Sequence, residues 1–205
     1  ALISKQDGKT VREIILPYKE LENIRYTGMQ EKYGEIVAVP AHYLTIPAKK
    51  EWYLASVSSD TISRLLPDGN KQPYMVRTPS IHNMNPEVFL FPKMMTEQYD
   101  FLVTIKKKMK ENFSFPSVNL IYDKKDKSIY TYVIRNADFE GSKVALWESS
   151  LNPEIASYRT LHAHELVEAY EEGKLKGKLK EIASTLDEED NGVVMLLKRK
   201  GNGQN

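Results

Sequence analysis

The sequence predicts a mainly β protein built from repeated strand–turn–strand units, with two short helices near the C-terminus. Three observations predict it. Tyrosine, at 12 residues, outnumbers phenylalanine and tryptophan together, and aromatic residues suit the pleated, half-buried surface of a sheet. Pro67-Asp68-Gly69-Asn70 separates the apolar runs Ile62–Leu66 and Tyr74–Val76; Pro67 presets φ and Gly69 takes the positive φ of a tight turn, which makes this a hairpin. After Leu161 the apolar spacing changes from two to that of a helix.

In order, Ala1–Ser4 reads as a strand, Gln6-Asp7-Gly8 as a turn and Thr10–Leu16 as a returning strand ended by Pro17. Gly8-Lys9-Thr10 is not a phosphate loop, because the glycine required five positions before Gly8 is Ile3. Residues 18–34 read as polar and irregular. Gly34–Val39 is a strand closed by Pro40, and residues 41–50 a connecting loop. Glu51–Val57 is a strand with Trp52 and Leu54 on one face and Tyr53 and Ala55 on the other, and Ser58-Ser59-Asp60 turns it into the Asp68 hairpin. Residues 77–87 form a long loop with two prolines, in which Asn85-Pro86-Glu87 has the look of a helix start followed by only a turn. Val88–Phe91 is apolar and ends at Pro92.

In residues 96–108, where helix and strand compete, Tyr99, Phe101, Val103 and Ile105 alternate with Gln98, Asp100, Thr104 and Lys106, broken only by Leu102, which predicts a strand. Lys106, Lys107, Lys108 and Lys110 read as its solvated end. Val118–Tyr122 and Ser128–Ile134 flank the turn Asp123–Lys127, with Tyr130, Tyr132 and Ile134 on one face, and Lys143–Trp147 is a further strand. Ala163, Leu166, Val167 and Tyr170 fit one helical face, ended by Gly173. Leu175, Leu179, Ile182, Ala183 and Leu186 fit a second, so segment 161–186 predicts two amphipathic helices packed on a sheet. The first carries Glu165, Glu168, Glu171 and Glu172, the second Lys174, Lys176, Lys178 and Lys180, which predicts attraction between them. Asp190-Asn191-Gly192 is a turn, Val193–Leu197 a strand and 201–205 a polar tail.

Composition excludes several classes. The chain has 205 residues, 41% of them hydrophobic, enough for one domain with a real core. Its 29 basic and 28 acidic residues leave a net charge of +1, against a nucleic-acid binder that relies on a basic face. No apolar run approaches the roughly 18 residues of a membrane span. With no cysteine, disulfides, thiolate metal sites and a cysteine nucleophile are all excluded. A start at Ala1 without a signal-like apolar stretch fits a processed or trimmed chain.

The turns at Asp7, Asp68, Asp126 and Asp190 recur at intervals of 61, 58 and 64 residues. Strand repeats with periods above about 40 residues suggest propeller blades; a β-sandwich or an irregular α+β domain is the alternative. At about 60 residues per blade the chain supplies about three, whereas closed propellers have four to eight. Missing N-terminal blades or a second copy of the chain would supply the rest.

Ile62-Ser63-Arg64-Leu65, Val76-Arg77-Thr78-Pro79-Ser80-Ile81 and Asn85-Pro86-Glu87-Val88-Phe89-Leu90-Phe91-Pro92 carry a family resemblance. So do Glu165–Glu171 and Leu175-Lys176-Gly177-Lys178-Leu179-Lys180-Glu181-Ile182. With these, the chain resembles the C-terminal half of the six-bladed β-propeller lipoproteins of unknown function found in Bacteroidetes. The resemblance implies a partial six-bladed propeller, export to the cell envelope and, in the full-length protein, a lipid-attachment cysteine and further blades ahead of this region. It supplies no catalytic residues.

Among candidate sites, Arg77, His82, Asn83 and Asn85 share one loop, and propeller-face loops commonly bind. Arg77 suits an anion, and the amides orientation; the same residues also serve to bond a loop to itself. His162, His164, Glu165 and Glu168 lack the His-Glu-x-x-His spacing of a zinc helix, and residues two apart on a helix point to different sides, so neither metal nor cofactor is predicted. No Gly-x-Ser-x-Gly elbow occurs. Asn112-Phe113-Ser114 fits the N-glycosylation triplet, and Asp60-Thr61-Ile62 resembles a Bacteroidetes O-glycosylation triplet. The reading that follows is a non-enzymatic envelope propeller that binds a protein or glycan ligand. A hydrolase or lyase with a polar or metal-bearing funnel is the alternative, by fold analogy.

Overall fold

The computed structural model describes residues 1–16, 20, 22–39, 45–48, 51–144, 146 and 155–198. The chain is mainly β, with two helices and antiparallel sheets of two to four strands. It divides into two compact units. The first comprises Ala1–Thr45, Tyr53–Phe91 and Thr104–Ser117; the second Ile46–Trp52, Pro92–Val103 and Val118–Asn205.

Two four-stranded sheets run in strict sequence order. One is β5 (Thr45–Pro47), β6 (Trp52–Leu54), β7 (Thr61–Leu65) and β8 (Lys71–Val76); the other is β9 (Val88–Met95), β10 (Tyr99–Lys106), β11 (Ser117–Asp123) and β12 (Ser128–Thr131). Connections this short permit only antiparallel neighbours, since a parallel crossover takes a dozen or more residues. Asp68 and Asp126 stand in the same place in each sheet, the turn between the third and fourth strands.

These turns solve one problem with different residues. At the first, Gly69 takes φ +78°, Leu66 and Asn70 close the loop with a 2.8 Å backbone bond, and the Asp68 carboxylate accepts the Asn70 N–H at 2.8 Å. The second has no glycine, and Lys127 itself takes the left-handed conformation, φ +52°. There Asp123 accepts the Lys125 N–H at 2.8 Å.

The remaining described strands form two-stranded antiparallel sheets: β1 (Leu2–Ile3) with β2 (Thr10–Arg12), β3 (Tyr26–Gln30) with β4 (Gly34–Ala38), β13 (Ile134–Arg135) with β14 (Lys143–Val144), and β15 (Ile155–Leu161) with β16 (Val193–Lys198). Three strands lie where the sequence predicts loop or nothing. β3 occupies the stretch read as irregular, because Tyr26 and Gly28 on one side and Thr27 and Met29 on the other alternate weakly; its pairing with β4 is what orders it. β5 sits inside the predicted 41–50 connection, too short for periodicity to show. β15 pairs with β16 across the helices that separate them, so Asp190 stands in a turn after a helix, not in a hairpin like the other three.

Two strands differ in extent. β9 continues through Pro92 to Met95; it is the edge strand of its sheet, where proline's missing N–H is tolerated. The strand expected to run from Ser128 to Ile134 breaks after Thr131, and Ile134 pairs with Val144 instead. No helix follows Asn85-Pro86, whose peptide bond is cis. The tail and Trp147 lie outside the described residues.

In the second unit, α1 (Ala163–Glu171) and α2 (Gly177–Ala183) pack on the β15–β16 strand pair. Leu161, Leu166, Ala169, Leu175, Leu179 and Ala183 form the buried cluster, flanked by Phe139, Leu186, Val193 and Met195. Ala169, not the predicted Tyr170, faces this core. Gly173 ends α1 at φ +71°, as glycine does at a helix C-terminus. Of the predicted attraction between the helices, the described residues show Lys174 beside that turn, 2.5 Å from Glu172 and also within the field of Glu168.

β10 is buried on both faces. Asp100, one of the alternating polar residues, is wholly buried and paired with Lys124 Nζ at 2.8 Å. Lys124 also donates to the Thr96 carbonyl at 2.6 Å, so this ion pair fixes the β9–β10 turn.

Candidate functional site

The 77–87 loop leaves β8 in the first unit and is braced from within. A single 3-10 turn, Ile81–Asn83, sits at its centre, with Ser80 as N-cap and Ile81 fully buried beneath it. Asp60, just before β7, organises the start: its carbonyl accepts the Arg77 N–H at 2.8 Å and its carboxylate the Ile81 N–H at 2.8 Å. The Arg77 side chain is 10% exposed, with Nε 3.7 Å from the Asp60 carboxylate. Its Nη2 donates to the Val88 carbonyl and lies 3.3 Å from Met84 Sδ. One guanidinium thus ties together both ends of the loop.

Electrostatics fit that role. Burial raises the Asp60 pKa, but the Ser80 hydroxyl, the Ile81 N–H and the charges of Arg77 and His82 outweigh it and hold the carboxyl below its ordinary range. Burial lowers the Arg77 pKa and Asp60 opposes the shift; a guanidinium stays charged regardless.

His82 is the second brace. Its side chain is 7% exposed, and Nδ1 faces the Glu22 carboxylate at 2.9 Å and that of Glu20 at 3.9 Å. The Glu22 N–H donates to Ser58 Oγ at 2.8 Å, which anchors the segment before β3 to a buried serine. At the loop's end, Glu87 accepts from Lys107 twice, carbonyl from N–H at 2.8 Å and carboxylate from Nζ at 3.1 Å. Lys107 is therefore matched, although it belongs to the run read as solvated.

The four predicted residues fall into two pairs. Arg77 and His82 are turned inward onto Asp60 and Glu22, while Asn83 and Asn85 are exposed. Sequence reasoning missed Asp60 and Glu22, which lie 17 and 60 residues from their partners. Nothing local marks such pairs; an acid just before a strand that starts a hairpin was the only hint.

In the second unit, a separate open cleft of about 920 Å³ lies between the β13–β14 turn, β15 and α1. Its lining includes the acids Glu140, Glu165, Glu168 and Glu172 and the cations Lys143, Arg159 and Lys174. The spacing of the glutamates along α1 was the available sequence signal. His162 and His164 stand with stacked rings, centroids 5.6 Å apart. The expectation that they diverge fails because His162 precedes the helix with extended φ and ψ. Among the described residues, no group of three histidine, aspartate or glutamate side chains is placed to hold a metal, and no helix is long and apolar enough to cross a membrane.

No family model matches the chain, and no curated protein matches it. Among solved structures it is similar to a predicted exported protein from Bacteroides fragilis, with a TM-score of 0.47 and 14% identity over 97% of this chain and 70% of that one. Similarity at that level assigns neither fold nor function.

Proposed function

We propose that the chain is part of a non-enzymatic β-propeller of the cell envelope that binds a ligand or protein partner through its 77–87 loop. The observation that carries the binding reading is the division within the loop. Asn83 and Asn85 are exposed on a backbone already fixed by Arg77 and His82, and amides held in place bind without the entropy of ordering a loop. Arg77 and His82 are then positioning residues, and the anion role for Arg77 is set aside because its charge is matched by Asp60.

The propeller reading rests on two consecutive four-stranded meanders, the blade unit of such folds, each with its aspartate turn in the same place. Export and lipid anchoring rest on the sequence resemblance alone. Among the described residues β1–β2 and β3–β4 have two strands each, and two-stranded hairpins are marginal by themselves; on this reading they take neighbouring strands from further blades or a second copy. Light scattering tests this: a stable single-chain mass, with those hairpins protected from hydrogen exchange, would remove the need for added strands.

Photo-crosslinkers placed at Asn83 and Asn85 in the source cell test the site. The expected result is a discrete adduct from both positions, absent from a crosslinker at Glu188. Equal labelling everywhere, or none at either asparagine, ends the proposal.

A further inference from the structure

Three turns of the described chain place an aspartate or asparagine directly before a glycine: Asp7-Gly8, Asp68-Gly69 and Asn191-Gly192. Such pairs are chemically labile, because glycine has no side chain to shield its amide nitrogen from the carbonyl carbon of the preceding side chain. Hydrogen bonding separates the three. The Gly8 N–H donates to the Ser4 carbonyl at 3.0 Å and the Gly69 N–H to the Leu66 carbonyl at 2.9 Å. Among the described residues no hydrogen bond engages the Gly192 N–H or the Asn191 carboxamide, and Asn191 is exposed just before β16. We infer that Asn191 is a self-modifying site, at which the Gly192 nitrogen converts the asparagine to aspartate and isoaspartate with water as co-reactant, and that the isoaspartate form loosens β16.

In the first step the Gly192 amide gives its proton to hydroxide and its nitrogen bonds to Asn191 Cγ. The Cγ–Nδ2 bond breaks, and ammonia leaves with that electron pair and a proton from solvent. The five-membered imide then takes up one water. Opening between the glycine nitrogen and Cγ gives aspartate; opening between that nitrogen and the main-chain carbonyl carbon gives isoaspartate, in which the main chain runs through Cβ and Cγ.

Packing keeps glycine at 192, and with it the reactive pair. A Cβ there would stand 2.7 Å from Thr160 Cγ2 and 2.9 Å from the Leu161 carbonyl oxygen. That oxygen cannot move aside freely, because Leu161 pairs with Val193 in the β15–β16 ladder. The same closeness gives the product a structural consequence. Isoaspartate adds one atom to the main chain directly ahead of Val193, where β16 begins, and strand pairing admits no fractional shift of register. Val193 and Met195 flank the cluster that holds α1 and α2, so the change reaches the support of both helices. Aspartate adds only charge, beside the exposed Asp187, Glu188, Glu189 and Asp190. The inference shares no residue with the 77–87 loop and stands or falls without it.

Peptide mapping by mass spectrometry, after incubation of the intact chain at mildly alkaline pH in heavy-oxygen water, tests it. The peptide holding Asn191 should lose ammonia, take up one labelled oxygen and split into two isomers, faster as pH rises. Asn202-Gly203, outside the described residues, falls in a separate peptide. Asp7→Asn and Asp68→Asn create the same dipeptide with a bonded glycine N–H, and those positions should react about tenfold more slowly, the ratio that breaking one hydrogen bond sets. Either variant suffices if the other fails to fold. The chromatographically separated isoaspartate form should exchange the amides of β16 faster than Asn191→Asp, which has the charge without the added atom. An unreacted Asn191, or one no faster than the engineered asparagines, overturns the inference. Equal exchange in the isoaspartate form and in Asn191→Asp overturns the loosening of β16.

Discussion

The helical module of the second unit and the 77–87 loop of the first are both held rigid, by opposite means. In the module, six aliphatic side chains between Leu161 and Ala183 bury one another, and the contact is non-directional. In the loop, Asp60, Arg77, Glu22 and His82 hold the backbone through directed charges with little apolar burial beyond Ile81. Aliphatic packing loses stability in proportion to the volume removed. A braced loop changes state when one partner goes, because the other is left as an unmatched charge. A surface meant to present Asn83 and Asn85 benefits from the second arrangement, which fixes the backbone without covering the side chains.

The largest effect that can break this comparison is Leu166→Ala. Leu166 is fully buried at the centre of the module, and the deletion leaves a cavity costing about 2–5 kcal/mol. The urea midpoint of the helices should fall accordingly; a loss under about 1 kcal/mol would mean that the module collapses freely and is not a close-packed core.

Asp60→Asn comes next, at about 1–3 kcal/mol. The asparagine keeps one acceptor for the Ile81 N–H but leaves the Arg77 guanidinium nearly buried without a counter-charge. The sign of the pH dependence follows from the direction of the shift. The folded carboxyl has a pKa below its ordinary value of 3.8, so its contribution is complete above that value and disappears as pH falls through the lower, folded one. The native chain should therefore lose stability on acidification below about pH 4 more steeply than Asp60→Asn. Parallel pH profiles would show that Asp60 is not the acid that matters.

What was legible in the sequence divides along the same line. The helices could be read because Ala163 and Leu166 in α1, and Leu179 and Ala183 in α2, recur at helical spacing, and burial is an average over many contacts that spacing records; Leu175, read as the start of the second helix, instead precedes α2 and bridges Phe139. The Asp68 turn could be read because proline and glycine have fixed conformational preferences. Lys127 in the left-handed region could not, since nothing local distinguishes it. Pro92 misled because its meaning depends on whether its strand lies at an edge. At the candidate site, residue types announced the loop, but Arg77 and His82 take their roles from Asp60 and Glu22, and a matched charge looks in sequence like a free one.

A smaller effect sharpens the account of how the module ends. Gly173 has φ +71° with open space where a Cβ would stand, so Gly173→Ala is penalised by backbone conformation alone, about 1–2 kcal/mol. The same change at Gly69, φ +78°, also drives a Cβ to 2.9 Å from Arg12 Nη1. Because that atom ends a flexible exposed side chain it can move, and the two substitutions should lower stability by nearly equal amounts in urea. A much larger loss at Gly69 would show that the Arg12 contact holds β2 to this turn.

The smallest effect is the most informative about the loop. Asn83 and Asn85 are exposed on a backbone fixed by other residues, so Asn83→Ala with Asn85→Ala should change stability by no more than about 0.5 kcal/mol. Amide exchange in residues 77–87 should be unaltered, whereas Asp60→Asn should speed it. If instead the double alanine variant loosens the loop as much as Asp60→Asn does, the two asparagines are braces like Arg77 and His82. The loop would then have no side chains left over for a partner, and the contrast with the helical module would be one of chemistry alone.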